Sequence, residues 1–245
     1  MPAAELKKRW RNGEVTYGAN IRLGSPFLAE VLALSGFDFV RINMEHGMNW
    51  EHTLMPMIQA MNGTGTTVFV KIPSVDREFI GKVLDLGAEG ISCPDLATVE
   101  QAREVVACTR HAPEGVRGNT SFYTKYLPGG KKRDVAVIGT IESLEGARNA
   151  AEITKVDGID GITIGPGDLA QHLGLPHVET HELRPGPHED TIRGIMKACQ
   201  DNGIPYGMSS DGDPSNLKAL GCQLITLGSD IGFFERGMKA ALAKR

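Results

Sequence analysis

The chain has 245 residues, 41% of them hydrophobic and 23% charged, a balance typical of globular proteins with a substantial core. Its 26 basic and 30 acidic residues give a formal net charge of -4 and no broad basic surface, so we expect no nucleic-acid partner. No apolar run approaches the roughly 20 residues of a membrane span, and residues 1–9 lack the apolar centre of a signal peptide. We therefore expect a cytoplasmic protein without a membrane partner.

Short apolar runs rich in Val, Ile and Phe recur along the chain, and each is followed by polar residues or by Gly and Pro. Runs of this length and composition are typical of buried β-strands. In chain order the predicted strands are Val15–Ala19, Asp38–Ile42, Thr67–Lys71, Glu89–Cys93, Val135–Thr140, Gly161–Ile164, Tyr206–Ser209 and Leu224–Leu227.

Segments with helical periodicity lie between these strands, and several end at glycine, as in Leu86-Gly87. Eight strand–helix units in a chain of this length predict an α/β fold, a single-domain (β/α)8 TIM barrel over residues 1–245. A doubly wound open sheet is the alternative. The predicted helices are Phe27–Ser35, Trp50–Met61, Arg77–Leu86, Thr98–Thr109, Leu144–Ile153, Asp190–Asn202 and Pro214–Ala219.

Two segments interrupt this alternation and are predicted to be loops over one mouth of the barrel. They are Tyr123–Arg133 and Pro176–Glu189, and the second carries His177, His181 and His188. Because no predicted helix aligns a pair of these histidines, we expect them to be exposed to solvent rather than to bind a metal. The four cysteines are far apart in sequence, so we expect each to be a small buried residue.

Motifs of the common nucleotide-binding and hydrolase sites are absent from the sequence. There is no G-x-x-x-x-G-K-[ST] loop, and no G-x-G-x-x-G follows a predicted strand with an acidic residue at the right distance. A G-x-S-x-G elbow is absent as well. The sequence therefore does not indicate a nucleotide-binding site of these kinds or a hydrolase of the G-x-S-x-G type.

Polar residues follow most of the predicted strands, at the end where (β/α)8 barrels place their catalytic groups. Glu142 and Asp168 follow the fifth and sixth strands, and neighbouring strands lie about 4.8 Å apart, so their carboxylates can meet over the barrel mouth. Such a pair suits Mg²⁺ or Mn²⁺, which prefer oxygen ligands. The alternative is that Asp168 caps a helix starting at Leu169 and that Glu142 lies in the first turn of another helix.

Two further polar side chains are predicted near this pair. His46 follows the second strand and titrates near neutral pH, so it is the natural general base for a proton transfer. Lys71 ends the third strand and would bring a positive charge towards a bound carboxylate or a developing enolate. The alternatives are a structural, hydrogen-bonding role for His46 and simple solvation of Lys71.

Five blocks of sequence resemble the HpcH/HpaI family, metal-dependent class II pyruvate aldolases of the phosphoenolpyruvate/pyruvate barrel superfamily. The blocks occur in the same order and with similar spacing as in the family. The likeness runs from about Gly18 to Gly228. The blocks are Gly36–His46, Val83–Gly90, Gly115–Gly118, Ile141–Ser143 and Ile164–Leu169.

The resemblance implies an aldolase that cleaves, and in reverse forms, 4-hydroxy-2-oxo acids, with pyruvate or a related 2-oxo acid and an aldehyde as the products. In the family, the counterparts of Glu142 and Asp168 bind a divalent metal, here Mg²⁺, Mn²⁺ or Co²⁺, which chelates the carboxylate and 2-oxo groups. Loss of the C4 hydroxyl proton breaks the C3–C4 bond, and the metal stabilises the resulting enolate as a Lewis acid.

The resemblance also implies roles for the remaining residues. The counterpart of His46, held by that of Asp85, handles the proton on the C4 hydroxyl. Lys71 is expected to act in catalysis and to bind substrate together with Gly165, Pro166 and Gly167.

The chain departs from the family pattern at two positions. Lys71 stands where the family has arginine, which keeps the charge but loses the planar two-pronged donor that fits a carboxylate. Asn43 stands where the family's Asp-x-Glu-His motif has aspartate, which removes a negative charge beside the predicted metal site. Both changes leave the identity of the substrate open.

Two other functions remain as alternatives to the aldolase. One is a related metal-enolate lyase, such as an oxaloacetate decarboxylase or a CoA-thioester lyase. The other is a catalytically weakened barrel with a binding role. The resemblance further implies a homo-oligomer, a hexamer built as a trimer of dimers, with the C-terminal helical segment Phe233–Leu242 packing on a neighbouring subunit.

Overall fold

A computed structural model of the chain describes residues 1–119, 124–127, 130, 133–179, 182–210 and 212–244. The strands are β1 (Thr16–Ile21), β2 (Phe39–Asn43), β3 (Thr67–Lys71), β4 (Gly90–Cys93), β5 (Ala136–Ile141), β6 (Gly161–Ile164), β7 (Tyr206–Gly207) and β8 (Leu224–Ser229). The helices are α1 (Ala3–Arg11), α2 (Pro26–Leu34), α3 (Glu51–Met61), α4 (Arg77–Leu86), α5 (Val99–Thr109), α6 (Leu144–Ile153), α7 (Pro166–His172), α8 (Pro187–Asp201), α9 (Ser215–Ala219) and α10 (Asp230–Leu242).

The eight strands form one parallel sheet in the order β7-β6-β5-β4-β3-β2-β1-β8. The two outer strands meet just beyond β7, where Thr226 donates its backbone N–H to the carbonyl of Met208 at 3.1 Å and accepts from Ser210 at 2.8 Å. These bonds close the sheet on itself. The predicted (β/α)8 barrel is therefore confirmed, and the alternative of an open doubly wound sheet is wrong.

Side-chain oxygens fix the amino ends of several outer helices, as the sequence pattern at helix starts favours. Ser25 accepts from the N–H of the third residue of α2, and Asp76 does the same for α4 at 2.6 Å. Helix α4 ends at Gly87, whose φ of +116° needs a residue without a Cβ. Each of these two helices thus starts near the barrel mouth and returns the chain to the opposite end.

The amino end of the barrel is closed by α1. Leu6 and Trp10 of this helix pack against Phe39 and Phe69, which point into the barrel, and all four side chains are buried. Gly18 leaves room for the Phe39 ring, since a Cβ there would lie 2.1 Å from a ring carbon. This end of the barrel interior is therefore filled with apolar side chains.

Towards the carboxyl end the interior becomes polar. The even-numbered strands β2, β4, β6 and β8 each contribute one buried polar residue there: Arg41, Ser92, Thr163 and Thr226. In most (β/α)8 barrels, such layers of four are filled with Val, Ile and Leu. The polar layer forms the floor beneath the strand ends where the predicted site lies.

Some predictions differ from the structure. Helix α1 was not predicted, α7 was foreseen only in the alternative that starts a helix at Leu169, and β7 is shorter than the predicted strand. The predicted loop Tyr123–Arg133 lies partly outside the described residues, and within it residues 124–126 form a short 3-10 helix. All four cysteines are buried and free, as predicted. Within the described ranges, no helix is both long and apolar enough to cross a membrane.

Candidate active site

One cavity opens at the carboxyl ends of the strands, directly above the polar layer. It is lined by all the predicted site residues except Asp85, namely His46, Lys71, Glu142, Gly165, Pro166, Gly167 and Asp168. Residues from the ends of β2, β3, β5 and β6 thus converge on one space, because parallel strands deliver their carboxyl ends to the same face.

Glu142 follows β5 and is held in place by its neighbours. Its Oε1 accepts from the backbone N–H of Asp95 at 3.0 Å, and Asp95 adopts a left-handed φ of +33° to present that group. Gly165 makes room for the side chain, since a Cβ there would lie 2.6 Å from the Glu142 Cβ. Burial raises the pKa of Glu142, the Lys71 charge opposes this, and the nearby Asp168 carboxylate adds to it.

Asp168 lies in the first turn of α7, which starts at Pro166 with Gly165 as its N-cap. The alternative prediction, that Asp168 caps a helix beginning at Leu169, is therefore wrong. The alternative for Glu142, a place in the first turn of a helix, is also wrong, because α6 begins at Leu144 and Ser143 caps it. Capping a helix consequently accounts for neither carboxylate.

His188 supports the first turn of α7, which carries Asp168. Its Nδ1 accepts from the backbone N–H of Arg184 at 3.1 Å, so the proton resides on Nε2, which donates to the carbonyl of Pro166 at 2.9 Å. The imidazole is fully buried, and the prediction that it is exposed is wrong because two backbone groups satisfy it inside the fold. His177 is exposed as predicted, and His181 lies outside the described residues.

Glu45 contacts both His46 and Lys71 and was not predicted as a site residue. Its Oε1 lies 3.3 Å from Nε2 of His46, and its carboxylate forms an ion pair with Lys71. Lys71 Nζ also lies 4.0 Å from Oε1 of Glu142. Lys71 is therefore a buried, paired cation, and simple solvation does not describe it. His46 stands at the entrance with 65% of its side chain exposed.

Asn43 shapes the segment that carries His46. Its side-chain oxygen accepts from the backbone N–H of Glu45 at 3.0 Å and from that of His46 at 2.8 Å. An aspartate would supply the same acceptor, so the amide preserves the turn while it removes a charge. The departure from the family pattern at this position is compatible with the local structure.

Asp85 does not line the cavity. Arg77 begins α4 on the side of the barrel mouth, and Asp85 lies near the other end of this helix. At a rise of about 1.5 Å per residue, the two residues are about 12 Å apart along the helix axis. Oδ1 of Asp85 accepts from Nη2 of Arg117 at 2.7 Å. The structure therefore does not bring Asp85 together with His46 within one subunit.

The donor set at the mouth fits a hard divalent cation. Among the described residues, no group of three or more His, Cys, Asp and Glu side chains is arranged to hold a metal ion. Mg²⁺ does not need such a cage, because it is commonly bound by one or two carboxylates and completes its shell with waters and substrate oxygens. Glu142 and Asp168 supply two such oxygen donors at one cavity.

The sequence of residues 18–236 matches the profile of the HpcH/HpaI aldolase/citrate lyase family. The chain belongs to this family. The resemblance predicted from the five sequence blocks is confirmed, and so is the prediction that the chain is an enzyme of the carbon–carbon lyase type. The roles of the individual site residues stay predictions.

Similar proteins cover nearly the whole chain. A 5-keto-4-deoxy-D-glucarate aldolase of Salmonella arizonae is 31% identical over 236 residues, which are 91% of this chain and 90% of that protein. The crystal structure of an HpcH/HpaI aldolase/citrate lyase family protein from Burkholderia cenocepacia J2315 has a TM-score of 0.87 at 28% identity and covers 98% of both chains. The citrate synthase SbnG has a TM-score of 0.82 at 31% identity, covering 98% of this chain and 96% of that one.

Proposed function

We propose that this enzyme is a divalent-metal-dependent aldolase that reversibly cleaves 4-hydroxy-2-oxo acids to pyruvate, or a related 2-oxo acid, and an aldehyde. The observation that carries the proposal is the convergence of Glu142, Asp168 and His46 on one cavity at the strand ends. The pair of carboxylates suits a cation, and the imidazole suits a proton transfer. The family of the chain and its aldolase relatives support the same reaction class.

The relatives also suggest the substrate class. The name 5-keto-4-deoxy-D-glucarate describes a six-carbon diacid with a keto group beside one carboxylate and a hydroxyl two carbons further along. Numbered from the keto end, this compound is a 4-hydroxy-2-oxo acid. We expect the substrate to be of this kind, a short polar acid, because the cavity of this chain is lined mainly by polar and charged side chains.

Glu142 and Asp168 are the residues that would hold the divalent cation, Mg²⁺, Mn²⁺ or Co²⁺. A cation bound there supplies Lewis-acid polarisation of the 2-oxo group. Gly165, Pro166 and Gly167 contribute backbone to the cavity wall, and the lack of side chains at the two glycines lets the substrate approach closely.

His46 is the proposed base for the C4 hydroxyl. When it takes that proton, the C3–C4 bond breaks, the aldehyde forms, and the bonding electrons remain on the three-carbon fragment as an enolate. Glu45 contacts the imidazole and orients it from one side. Lys71, paired with Glu45 and close to Glu142, adds positive charge on the enolate side.

The proposed role of Asp85 in holding His46 requires a second subunit, because the two residues are apart in one chain. Apolar side chains exposed on α2 and α10 support an oligomer: Phe27, Val31, Leu34, Ile231, Phe234, Met238 and Leu242. In the proposed hexamer, a trimer of dimers, α10 packs on a neighbouring subunit.

Light scattering after gel filtration should give the mass of a hexamer, and F234D should reduce that mass. A monomeric wild-type protein would contradict this assembly.

The reaction itself is tested with a panel of substrates and metals. Pyruvate release from 5-keto-4-deoxy-D-glucarate and from simpler 4-hydroxy-2-oxo acids is measured with Mg²⁺, Mn²⁺ or Co²⁺ and with EDTA. Metal-dependent release supports the aldolase. Decarboxylation of oxaloacetate or cleavage of a CoA thioester, without any aldol cleavage, would instead support the alternative lyases. No turnover of any substrate with any metal would contradict the proposal and leave the binding role.

The base is tested by His46→Asn, with His52→Asn on α3 as the matched control. Proton transfer by a positioned side chain contributes roughly 10²–10⁴-fold, so H46N should lower kcat by about that factor. The control should retain wild-type kcat, since His52 is exposed and does not line the cavity. Equal rates for H46N and H52N would assign the proton transfer to another group.

A further inference from the structure

Arg41 is a buried cation at the floor of the active-site cavity. It lies in the middle of β2, between Val40 and Ile42, which belong to the apolar core outside the barrel. Its own side chain points inwards and lines the cavity, and the residue is only 6% exposed. Along the same strand, Asn43 lies about 7 Å nearer the mouth at a rise of about 3.3 Å per residue.

The guanidinium has few partners. Nη2 lies 3.5 Å from the hydroxyl of Thr226, a marginal hydrogen-bond distance, and Nε is buried without a hydrogen-bond partner. In the part of the chain that the structure describes, no carboxylate forms an ion pair with Arg41. No acceptor among the described residues therefore fully satisfies the guanidinium, and the residue lines the cavity, where a ligand can reach its outer donors.

Retention of a charge at this position needs an explanation. Burial lowers the pKa of Arg41 to about 10, and the charge of Glu142 acts in the opposite direction, so the side chain is still a cation at neutral pH. A buried charge without a partner is costly, and apolar residues would fill such a layer at less cost. An unpaired buried guanidinium is therefore a poor structural element and a good anion receptor.

Lys71 does not serve the same purpose in this structure. Its ammonium is held in the ion pair with Glu45 and lies close to Glu142, so it already has negative partners. Arg41 offers the planar pair of parallel N–H donors that matches the two oxygens of a carboxylate, which an ammonium does not. Of these two cations, Arg41 has both the free donors and the geometry for a carboxylate ligand.

We propose that Arg41 binds the carboxylate of the 2-oxo acid substrate from the floor of the barrel and so sets the direction in which the substrate lies. This inference rests on the proposed function. The carboxylate lies deepest, the 2-oxo group lies level with Glu142 and Asp168, and the C4 hydroxyl lies at the entrance beside His46. Substrates whose deep end is uncharged are rejected, because they leave the guanidinium buried and unpaired.

The test measures the binding of oxalate, a planar mimic of the enolate, by calorimetric titration in the presence of Mg²⁺ or Mn²⁺. R41M removes the charge, R41K keeps the charge without the paired donors, and R110M makes the same change at a surface ion pair with Asp157. We expect oxalate affinity to fall about 30- to 100-fold in R41M and about tenfold in R41K. R110M should bind like the wild type.

Thermal unfolding of the same proteins, measured first without metal or ligand and then with Mg²⁺ and oxalate, separates binding from structure. R41M should melt at the same temperature as the wild type or above it, because it removes an unpaired buried charge, while it loses the shift that oxalate produces. Oxalate affinity within threefold of the wild type in R41M would overturn the proposal. If R41M fails to fold, wild-type affinity in R41K would overturn it instead.

Failure of the proposed aldolase activity is distinguishable from failure of this inference. Arg41-dependent oxalate binding by a protein that cleaves no 4-hydroxy-2-oxo acid would support the carboxylate site and contradict the aldolase. Metal-dependent aldol cleavage with unchanged oxalate affinity in R41M would support the aldolase and overturn the role of Arg41.

Discussion

The two ends of the barrel differ in how their charged side chains are paired. Helix α1 covers the amino end, and the cavity opens at the carboxyl end. At the amino end, Lys7 of α1 pairs with Asp134 at 2.7 Å and Arg9 pairs with Asp38 at 2.5 Å, while Trp10 fills the interior. At the carboxyl end, Glu142 is buried with a raised pKa, and Arg41 has no ion pair among the described residues.

We assign the stability of the fold mainly to the amino end of the barrel and the proposed function to the carboxyl end. Ion pairing at the amino end gives the charged side chains there partners of opposite sign, which together with apolar packing favours a stable fold. The carboxyl end keeps charges in a cavity where the proposed cation and acidic substrate would supply the missing partners. Changes at the amino end should therefore alter the free energy of unfolding, and changes at the carboxyl end should alter turnover.

The largest effect is expected from Glu142→Gln. The variant removes one charge from the proposed cation site with almost no change of shape, so kcat/KM should fall by a factor on the order of 10³. Glu89→Gln, at the amino end and near Arg133, is the matched control and should stay within about threefold of the wild type. Similar losses in both variants would mean that the two ends of the barrel do not differ in their importance for turnover.

Trp10→Ala tests the amino end. Removing a fully packed indole should lower the free energy of unfolding by about 3–5 kcal/mol, measured by urea denaturation. Trp50→Ala, whose side chain is exposed, should change it by less than about 0.5 kcal/mol. The folded W10A protein should keep wild-type kcat, and a large loss of kcat at unchanged stability would reverse the assignment.

Gly165→Ala should give an intermediate loss of turnover. The new Cβ would lie 2.6 Å from the Glu142 Cβ, so the carboxylate must move. A displacement of about 1 Å can cost about 100-fold in rate, and we expect a 10- to 100-fold lower kcat/KM. Gly194→Ala in α8 meets no neighbouring atom and should leave activity unchanged. Wild-type kcat/KM in G165A would show that the position of Glu142 is not critical.

Asp160→Asn should give the smallest effect, and one that depends on pH. Burial raises the pKa of Asp160, although Lys7 and a backbone N–H from Val137 oppose the shift. The fold therefore favours the protonated acid. That stability is present below the unfolded pKa of about 3.9 and is lost as the pH rises through the higher folded pKa.

The difference in unfolding free energy between D160N and the wild type should accordingly grow in favour of D160N from pH 3.5 upwards and level off before neutrality. Its size should be about 1 kcal/mol or less, because Lys7 partly compensates the charge. Urea denaturation at a series of pH values measures it. A difference that does not vary with pH would contradict the raised pKa.

Repeating local patterns in the sequence predicted the barrel and the convergence of Glu142 and Asp168 on one cavity. Strand boundaries lie within two residues of the prediction, as for β3 and β6, because a buried parallel strand is a short apolar run between turn residues. Glu142 and Asp168 could be paired because consecutive strands in a barrel are neighbours. Helix α1 was missed because only Ala3, Leu6 and Trp10 mark its buried face.

The contacts of charged side chains were not predictable in the same way. The pairing of Lys71 with Glu45, the position of Asp85 away from the mouth and the burial of His188 all depend on the closed three-dimensional structure. Arg41 did give one sequence signal, since a charged residue in the middle of an otherwise apolar strand is unusual. Only the closed barrel shows that this side chain points into the site.

The most direct test of the account is the exchange of the pyruvate methyl protons for deuterium, followed by proton NMR. Enolate formation at the cavity should make exchange depend on added Mg²⁺, Mn²⁺ or Co²⁺, stop with EDTA, and fall on the order of 10³-fold in Glu142→Gln. No exchange with any of these metals, or exchange that survives Glu142→Gln unchanged, would contradict the claim that the carboxyl end of the barrel forms a metal-dependent enolate site.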